Sequence, residues 1–565
     1  GQDRSGLAVL VDPETVLDHS TEVVLDARGA RLLQTAAPQR TEDRQRKVDF
    51  SITDATGLEF RSAYAVASAT DDVYVSPTER VTQGSFMLTT RWRKGEPALT
   101  LAAPHQAASI DTIVQPGSTV GTSQRTAATV YAGVGAAADY QGLRVKGRIA
   151  VVERSDAVAP EERAAAAAAA GAIALVVVND GIGGLFENVG ASPIPVAGVH
   201  RDAGAALIAL ARKGAKLRLA QAEFPSYVYD LTRDYPGAVP DRPLVYRPGR
   251  KELARIDARY YAVKPSVSSG YRYDVTLSPS LGFEEPEQHP TTRVEWVTPG
   301  QQWVESHAQG IDTALYWPMV SGVTSYDRRE HAHLDWFRPT IRPGMSDSFG
   351  VYNSRWQDYL IWNVQPWSSF NERVALGGFL PWGETPTHMQ LFQGDTLLAD
   401  NPYSADAQFV EVPPGDRPYR VVLDAERPAD VFRLSTRTHT EWRFRSDTVD
   451  ADNFEPFSVL ALDYRLASDL RGDIRAGRTQ HISVRASSMD LGTVPGRITR
   501  VALSVSFDGG GSWHQVRLRR AGGGWWSGEF VAPRRPGGFV SVRGSAATDA
   551  GYSIDQEVIS AYGLR

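Results

Sequence analysis

The feature that most constrains this chain lies at residues 140–220, where strand and helix signals alternate inside a sequence otherwise patterned for β-structure. Ile149-Ala150-Val151-Val152 reads as an apolar strand, followed by Pro160-Glu161-Glu162-Arg163 and an alanine run to Ala170. Proline suits the first turn of a helix, and the acids after it suit the positive helix N-terminus. Alanine is the strongest helix former, and Gly171 predicts a left-handed stop. Residues 172–178 are all apolar and are closed by Asn179-Asp180-Gly181, the pattern of a strand buried on both faces. After a loop come Ile194-Pro195-Val196-Ala197-Gly198-Val199, a second helix over 202–213 with Asp202 as its cap and Gly214 as its end, and Lys216-Leu217-Arg218-Leu219. Repeated strand–helix–strand order of this kind specifies a small α/β module.

The rest of the chain has to be built around that module. At 565 residues it has room for about three to five domains. Strand signals dominate on both sides, at 7–11, 21–26, 48–52 and 86–92 before the module and at 227–231, 294–297, 389–392, 419–423 and 431–435 after it. Residues 251–256, opened by Pro248-Gly249, read as a short helix. The last stretch carries strands at sandwich spacing, with the hairpin Asp508-Gly509-Gly510-Gly511-Ser512-Trp513 between two of them. The fold class is therefore mainly β: a multi-domain β-sandwich and jelly-roll chain with one inserted small α/β domain and a C-terminal immunoglobulin-like domain. The expected divisions are a β-sandwich at 1–100, the α/β domain at 101–224, jelly-roll-like structure at 225–454, and an immunoglobulin or fibronectin-III-like sandwich at 455–565.

Composition excludes several functions. Net charge is -6 with no basic block, so no nucleic-acid partner is expected. No apolar run reaches the ~20 residues that cross a bilayer, and no membrane partner is expected. With no cysteine there are no disulfides, thiolate metal sites or cysteine nucleophile. The opening Gly1-Gln2-Asp3 reads as a mature or truncated piece. Lysine is confined to 47, 94, 146, 213, 216, 251 and 264 while arginine is frequent, a bias that suits a GC-rich actinobacterial coding sequence.

The sequence lacks the usual hydrolase motifs. None of the eleven histidines is followed by glycine, and neither a Gly-Thr-Ser-Met-Ala turn nor a Gly-x-Ser-x-Gly elbow occurs. No His-Glu-x-x-His is present, so no catalytic residue is assigned. One candidate metal face remains. On a strand, His331, His333 and Asp335 point the same way and could hold a divalent ion, or form a polar face leading into Trp336. Asp447, Asp450 and Asp452 make an acidic loop of calcium-binding type, or a solvated turn. Among thirteen tryptophans, Trp356, Trp362, Trp367 and Trp382 cluster mid-chain, and Trp525 and Trp526 alternate on one strand, so one of that pair should face outward.

The segment 140–220 resembles the protease-associated domain. Beyond it, Phe86-Met87-Leu88-Thr89-Thr90-Arg91-Trp92-Arg93-Lys94-Gly95, Pro225-Ser226-Tyr227-Val228-Tyr229-Asp230-Leu231 and the C-terminal Ala547-Thr548-Asp549-Ala550-Gly551 resemble the post-catalytic region of large secreted subtilisin-like (S8 family) serine peptidases of actinobacteria. That resemblance implies an extracellular, non-catalytic accessory region. Its implied partners are its own or a separate subtilisin-like catalytic domain and protein or peptide substrates. The contact surface expected for it is the loop 179–195, with Asn179, Phe186 and Asn188, made mobile by its glycines or serving only as a solvated connector. One departure from the family pattern matters. About 100 β-like residues precede the module, and no catalytic serine follows it. Two other classes stay open: a cell-wall or carbohydrate-binding protein using tryptophan faces, and a metal-dependent hydrolase built on the histidine strand.

Overall fold

A computed structural model describes residues 3–16, 18–103, 109–275, 281–310, 316–346, 352–380, 385–450 and 453–565. It is mainly β, with 50% of the chain in strands and 6% in helices. The α/β module is an eight-stranded sheet whose parallel centre runs Ser123–Tyr131, Ile149–Glu153, Ala174–Val178, Val196–Val199. Its two helices cover opposite faces. Pro160–Ala169 packs Ala164 and Ala167 on the face bearing Ala150, Val152, Leu175 and Val177. Arg201–Arg212 packs Leu207 and Ala211 on the face bearing Ile149, Val151, Ala174 and Val176. This is the two-sided burial that the continuous valine run predicts.

Two glycines shape these helices in different ways. Gly171 has φ +85°, the left-handed conformation expected of it. Gly204 acts by size instead, because a Cβ there would stand 2.1 Å from Val178 Cγ1, so the second helix lies directly on the sheet. Asp202 sits in the first turn rather than at the cap, which is His200.

The chain enters and leaves this module side by side. Leu99–Ala102 and Lys216–Gln221 are antiparallel neighbours, with Leu99 opposite Gln221. The strands just outside them are neighbours as well, with Gly95 opposite Val228. Ser85–Gly95 and Tyr227–Pro236 therefore lie at the middle of one seven-stranded sheet, which runs through Glu42–Thr53 to Glu59–Ala65 on one side and through Thr291–Val297 and Ala254–Tyr260 to His331–Trp336 on the other. The expected separation of 1–100 from 225–454 does not describe this arrangement. Strands from both spans complete one sheet, and the α/β module interrupts it. The expected helix at 251–256 is one 3-10 turn, Arg250–Glu252, followed by the strand Ala254–Tyr260.

A six-stranded sheet containing Phe283–His289, Ser266–Asp274 and Gln302–Gly310 faces this one. The layer between them is ionic. Arg91 and Arg272 both reach Asp230, at 2.8 and 2.7 Å, and Arg272 also pairs with Glu295 and Glu305. Arg93 reaches Glu285 at 2.9 Å, Arg293 reaches Glu287 and Glu295 at 2.7 Å each, and Lys47 bridges Asp49 and Asp274. Burial works to raise the Asp230 carboxyl, but Arg91, Arg93 and Arg272 outweigh it and hold it well below the usual carboxylate range.

Pairing also crosses the expected division at 454. Arg437–Ser446 pairs with Ser553–Leu564, joining Thr387–Gln393 and Arg417–Glu426 to Phe539–Thr548 and Ile498–Ser506 in one sheet. Leu460–Leu466, Thr479–Ser488 and Trp525–Val531 form the facing sheet, and Leu462, Val484, Trp442, Val542 and Val558 share one core between them. The C-terminal sandwich thus borrows strands from the preceding span, which removes an open sheet edge.

Candidate functional site

The loop 179–195, whose glycines suggest mobility, is fastened at many points. Asn179 is buried, donates to the Gly183 carbonyl at 2.8 Å and accepts from the Gly181 N–H at 3.2 Å. Gly184 N–H donates to Asp71 Oδ1 of the flanking β-structure at 2.9 Å. Glu187 is buried and pairs with Arg163 at 2.8 Å and Arg154 at 3.1 Å, while its own N–H donates to Gln115 Oε1 at 2.6 Å. Phe186 is half-buried rather than a free apolar anchor. Asn188 is exposed, and its carbonyl oxygen accepts the Gly190 N–H at 3.0 Å. Of the three expected contact residues, only Asn188 is therefore presented to solvent. Arg163 and Glu187 do the fastening, and their sequence signal was an arginine on a helix face otherwise made of alanine.

The histidine strand His331–Trp336 lies at the edge of the seven-stranded sheet, parallel to Ala254–Tyr260, with His333 opposite Asp257 and Asp335 opposite Arg259. Asp335 is taken out of the expected triad. Arg259 Nη2 donates to it at 2.8 Å and Arg338 Nη1 at 3.1 Å, and it is buried. The cross-strand carboxylate Asp257 takes its place. Its Oδ2 lies 2.7 Å from His331 Nε2 and 4.0 Å from His333 Nδ1, and one ligand atom from each of the three lies within 4.8 Å of the others. Burial works to raise Asp257, but the hydrogen bonds to His331 and Arg255 outweigh it and hold the carboxylate below its usual range. Two imidazoles and one carboxylate on an open surface suit zinc, cobalt or nickel, with solvent free to complete the shell. Arg255, 2.8 Å from Asp257, opposes a cation there.

The remaining candidates do not converge. Asp447 and Asp450 are exposed, and Asp447 accepts the N–H of the next residue, Thr448, at 2.8 Å; Asp452 lies outside the described residues. Among the described residues, they join no cluster of three ligating side chains. Trp525 is only 7% exposed, wedged against Phe370 between the guanidiniums of Arg465 and Arg485. Trp526 is half-buried on the core. The Trp525 ring is thus taken up by two guanidiniums, and Arg520 lies over the Trp526 ring at 5.0 Å. Trp362 and Trp367 are buried, and Trp382 lies outside the described residues.

Comparison with known proteins bears mainly on the module. Residues 116–207 match the PA domain. No curated protein matches the chain. Solved structures that align with it include a zinc aminopeptidase from Bacillus subtilis, 26% identical over 25% of this chain and 35% of that one, with a TM-score of 0.20. An aminopeptidase from Aneurinibacillus sp. strain AM-1 is 22% identical over 26% of this chain and 36% of that one, with a TM-score of 0.19. A psychrophilic subtilisin-like protease from Pseudoalteromonas sp. AS-11 is 16% identical over 36% of this chain and 50% of that one, with a TM-score of 0.19. The chain thus spans 35–36% of the length of the two aminopeptidases.

Proposed function

We propose that this chain is the non-catalytic accessory portion of a secreted subtilisin-like serine protease, working outside the cell by contact with the catalytic domain and with protein substrates. The observation that carries the reading is the PA domain at 116–207, carried as an insertion between two paired strands of a β-scaffold. Such mounting holds the module in a fixed orientation, as a surface that positions a second polypeptide requires. The sequence adds support, since no serine, cysteine or zinc hydrolase motif accompanies the module. The test is incubation of the purified chain with a fluorophosphonate probe and with casein, beside the secreted precursor. Labelling and cleavage by the precursor alone support the accessory reading, and capture of its peptidase domain by this chain is then expected. Labelling of this chain by itself overturns it.

A second reading rests on the cluster Asp257, His331 and His333. We infer a surface site for a late first-row divalent ion there, which would give the chain a metal-dependent stability or activity. Elemental analysis of the chain purified without chelator, followed by zinc titration, tests it. Neither bound metal nor measurable affinity would remove this reading and leave the first untouched.

A further inference from the structure

The seven-stranded sheet ends on two different edges. His331–Trp336 closes one and exposes the polar His331 and His333. Glu59–Ala65 closes the other, and no further strand pairs with it among the described residues. On one face it carries Leu58, Phe60 and Tyr64 at alternate positions, 72, 59 and 43% exposed. The rings of Phe60 and Tyr64 lean on Phe50 of the neighbouring strand, with centroids 6.0 and 6.1 Å away. An edge is usually blunted by a proline, a bulge or a charge. Glu59–Ala65 has no proline and runs against Glu42–Thr53 without a register shift. Its two charges neutralise each other, Arg61 Nη2 donating to Glu59 Oε2 at 2.8 Å.

The hydrogen bonds at the two ends of the strand show which backbone groups are free. The Leu58 carbonyl accepts the Asp54 N–H at 2.9 Å, and the Val66 N–H donates to the Arg46 carbonyl at 2.9 Å. Even-numbered residues therefore turn their backbone groups into the sheet, and Glu59, Arg61, Ala63 and Ala65 turn theirs outward. A second copy laid antiparallel on this edge must pair outward-facing residues with each other, so the two-fold axis passes through a residue. Centring on Glu59 or Arg61 sets like charges together. Centring on Ser62 or Ala63 sets alanine opposite both charges. Centring on Phe60 sets Glu59 of each copy opposite Arg61 of the other, and these pairs exchange the backbone hydrogen bonds. Phe60 then meets its counterpart as a non-hydrogen-bonded pair, at the ~4.5 Å Cα separation where side chains come closest.

We propose that this chain forms a two-fold dimer by antiparallel pairing of its Glu59–Ala65 edges about Phe60. Charge complementarity selects a second copy as the occupant, since Glu59-Phe60-Arg61 is its own antiparallel complement. Around the axis the four charges alternate in sign, and on the other face Leu58 and Phe60 of both copies cover each other. The dimer carries two PA modules, so a partner with two points of contact is held by both. The inference is independent of the accessory reading, and a monomeric chain leaves that reading standing.

Sedimentation velocity of the full chain tests it, with a species of twice the 61.7 kDa chain mass expected, dissociating on dilution. Phe60→Lys, at an exposed position, should give a monomer that melts as the parent does. Glu59→Arg or Arg61→Glu alone should weaken the dimer by about tenfold or more, and the two together should restore it. Because the chain has no cysteine, a single introduced one reports the register. Phe60→Cys should crosslink to its counterpart under mild oxidation. Ser62→Cys should not, because its counterpart is displaced by four residues, about 13 Å along the strand. A monomer at tens of micromolar, a dimer unaffected by Phe60→Lys, or crosslinking through Ser62→Cys in place of Phe60→Cys would overturn the proposal. A monomer captured through Phe60 by the purified peptidase domain of the precursor would overturn it too, and assign the edge to that partner.

Discussion

Arg91 directs both Nε and Nη2 at a single carboxylate oxygen of Asp230, at 3.2 and 2.8 Å, with both side chains wholly withdrawn from water. The pair joins Ser85–Gly95 to Tyr227–Pro236, the two strands between which the PA module is inserted. Asp230 also contacts Arg93 and Arg272, so one carboxylate is shared by three guanidiniums, each of which has a further acidic partner.

Asp230→Asn keeps the shape and removes the charge, leaving those guanidiniums under-compensated in a dry layer. Breaking a buried ion pair from one side costs about 3–5 kcal/mol. The expected result is a lower denaturant midpoint for the β-domain at unchanged slope. An Asp230→Leu, Arg91→Met double variant should recover part of that loss, because it removes both ends together. An unchanged midpoint in Asp230→Asn would show that the layer tolerates charge imbalance.

Three carboxylates of the same layer set a pH dependence of one sign. Burial works against the Asp230, Glu287 and Glu295 carboxylates, yet the surrounding cations hold all three below their ordinary range. Their stabilisation is present above the unfolded value of about 4 and is lost as pH falls through the folded values. Burial likewise opposes charge on His307, but Glu287, 2.8 Å away, and Glu305 raise it overall. That contribution is complete below the unfolded value of about 6.5 and fades as pH rises through the folded one. His289 is lowered by burial and acts the opposite way, costing stability as pH drops through its ordinary range. Unfolding measured across pH should show a steep acid limb and a shallower alkaline decline, the decline flattened in His307→Gln. A decline unaffected by that substitution would assign it elsewhere.

The α/β module was legible because its signals are local: proline and acids to open a helix, alanines to fill it, Gly171 to close it, and a valine run that only two-sided burial explains. The flanking sheets were less so. In Phe283–His289 the alternation is clear, but Glu285, Glu287 and His289 are the inward residues, whereas hydropathy assigns such side chains to solvent. Their partners come from other strands, and Arg93, which pairs with Glu285, lies 192 residues away from it in the chain. Asp257 was missed for a related reason. Reading 251–256 as a helix hid the strand that brings it across from His333.

The PA loop gives a local prediction. Asp71 accepts the Gly184 N–H through Oδ1 and the Ser5 N–H through Oδ2, both at 2.9 Å. Asp71→Ala removes one tie between loop and β-scaffold without touching the module's own cores. Hydrogen bonds to a charged acceptor contribute about 1.5–3 kcal/mol, so local opening should rise by at least about tenfold. Limited proteolysis should cut near 181–184 correspondingly faster while the melting transition barely moves. If cleavage there is unchanged, the loop is held by its other ties, the Glu187 pairs with Arg154 and Arg163 and the bonds of Asn179 and Gln115 among them.

The edge histidines separate two carboxylates that the strand pairing places on one sheet face. Asp257 and Asp335 share a sheet face with His331 and His333, but Asp335 is neutralised by Arg259 and Arg338, whereas Asp257 Oδ2 faces the imidazoles. In zinc or cobalt titrations Asp257→Asn should lose at least about tenfold in affinity, and Asp335→Asn should lose little. Asp335→Asn should instead destabilise the sheet edge by unpairing Arg259 and Arg338. Loss of metal in Asp335→Asn with retention in Asp257→Asn would mean that the strand re-registers on binding, because in the present pairing Asp335 is opposite Arg259 and not free to turn toward the histidines.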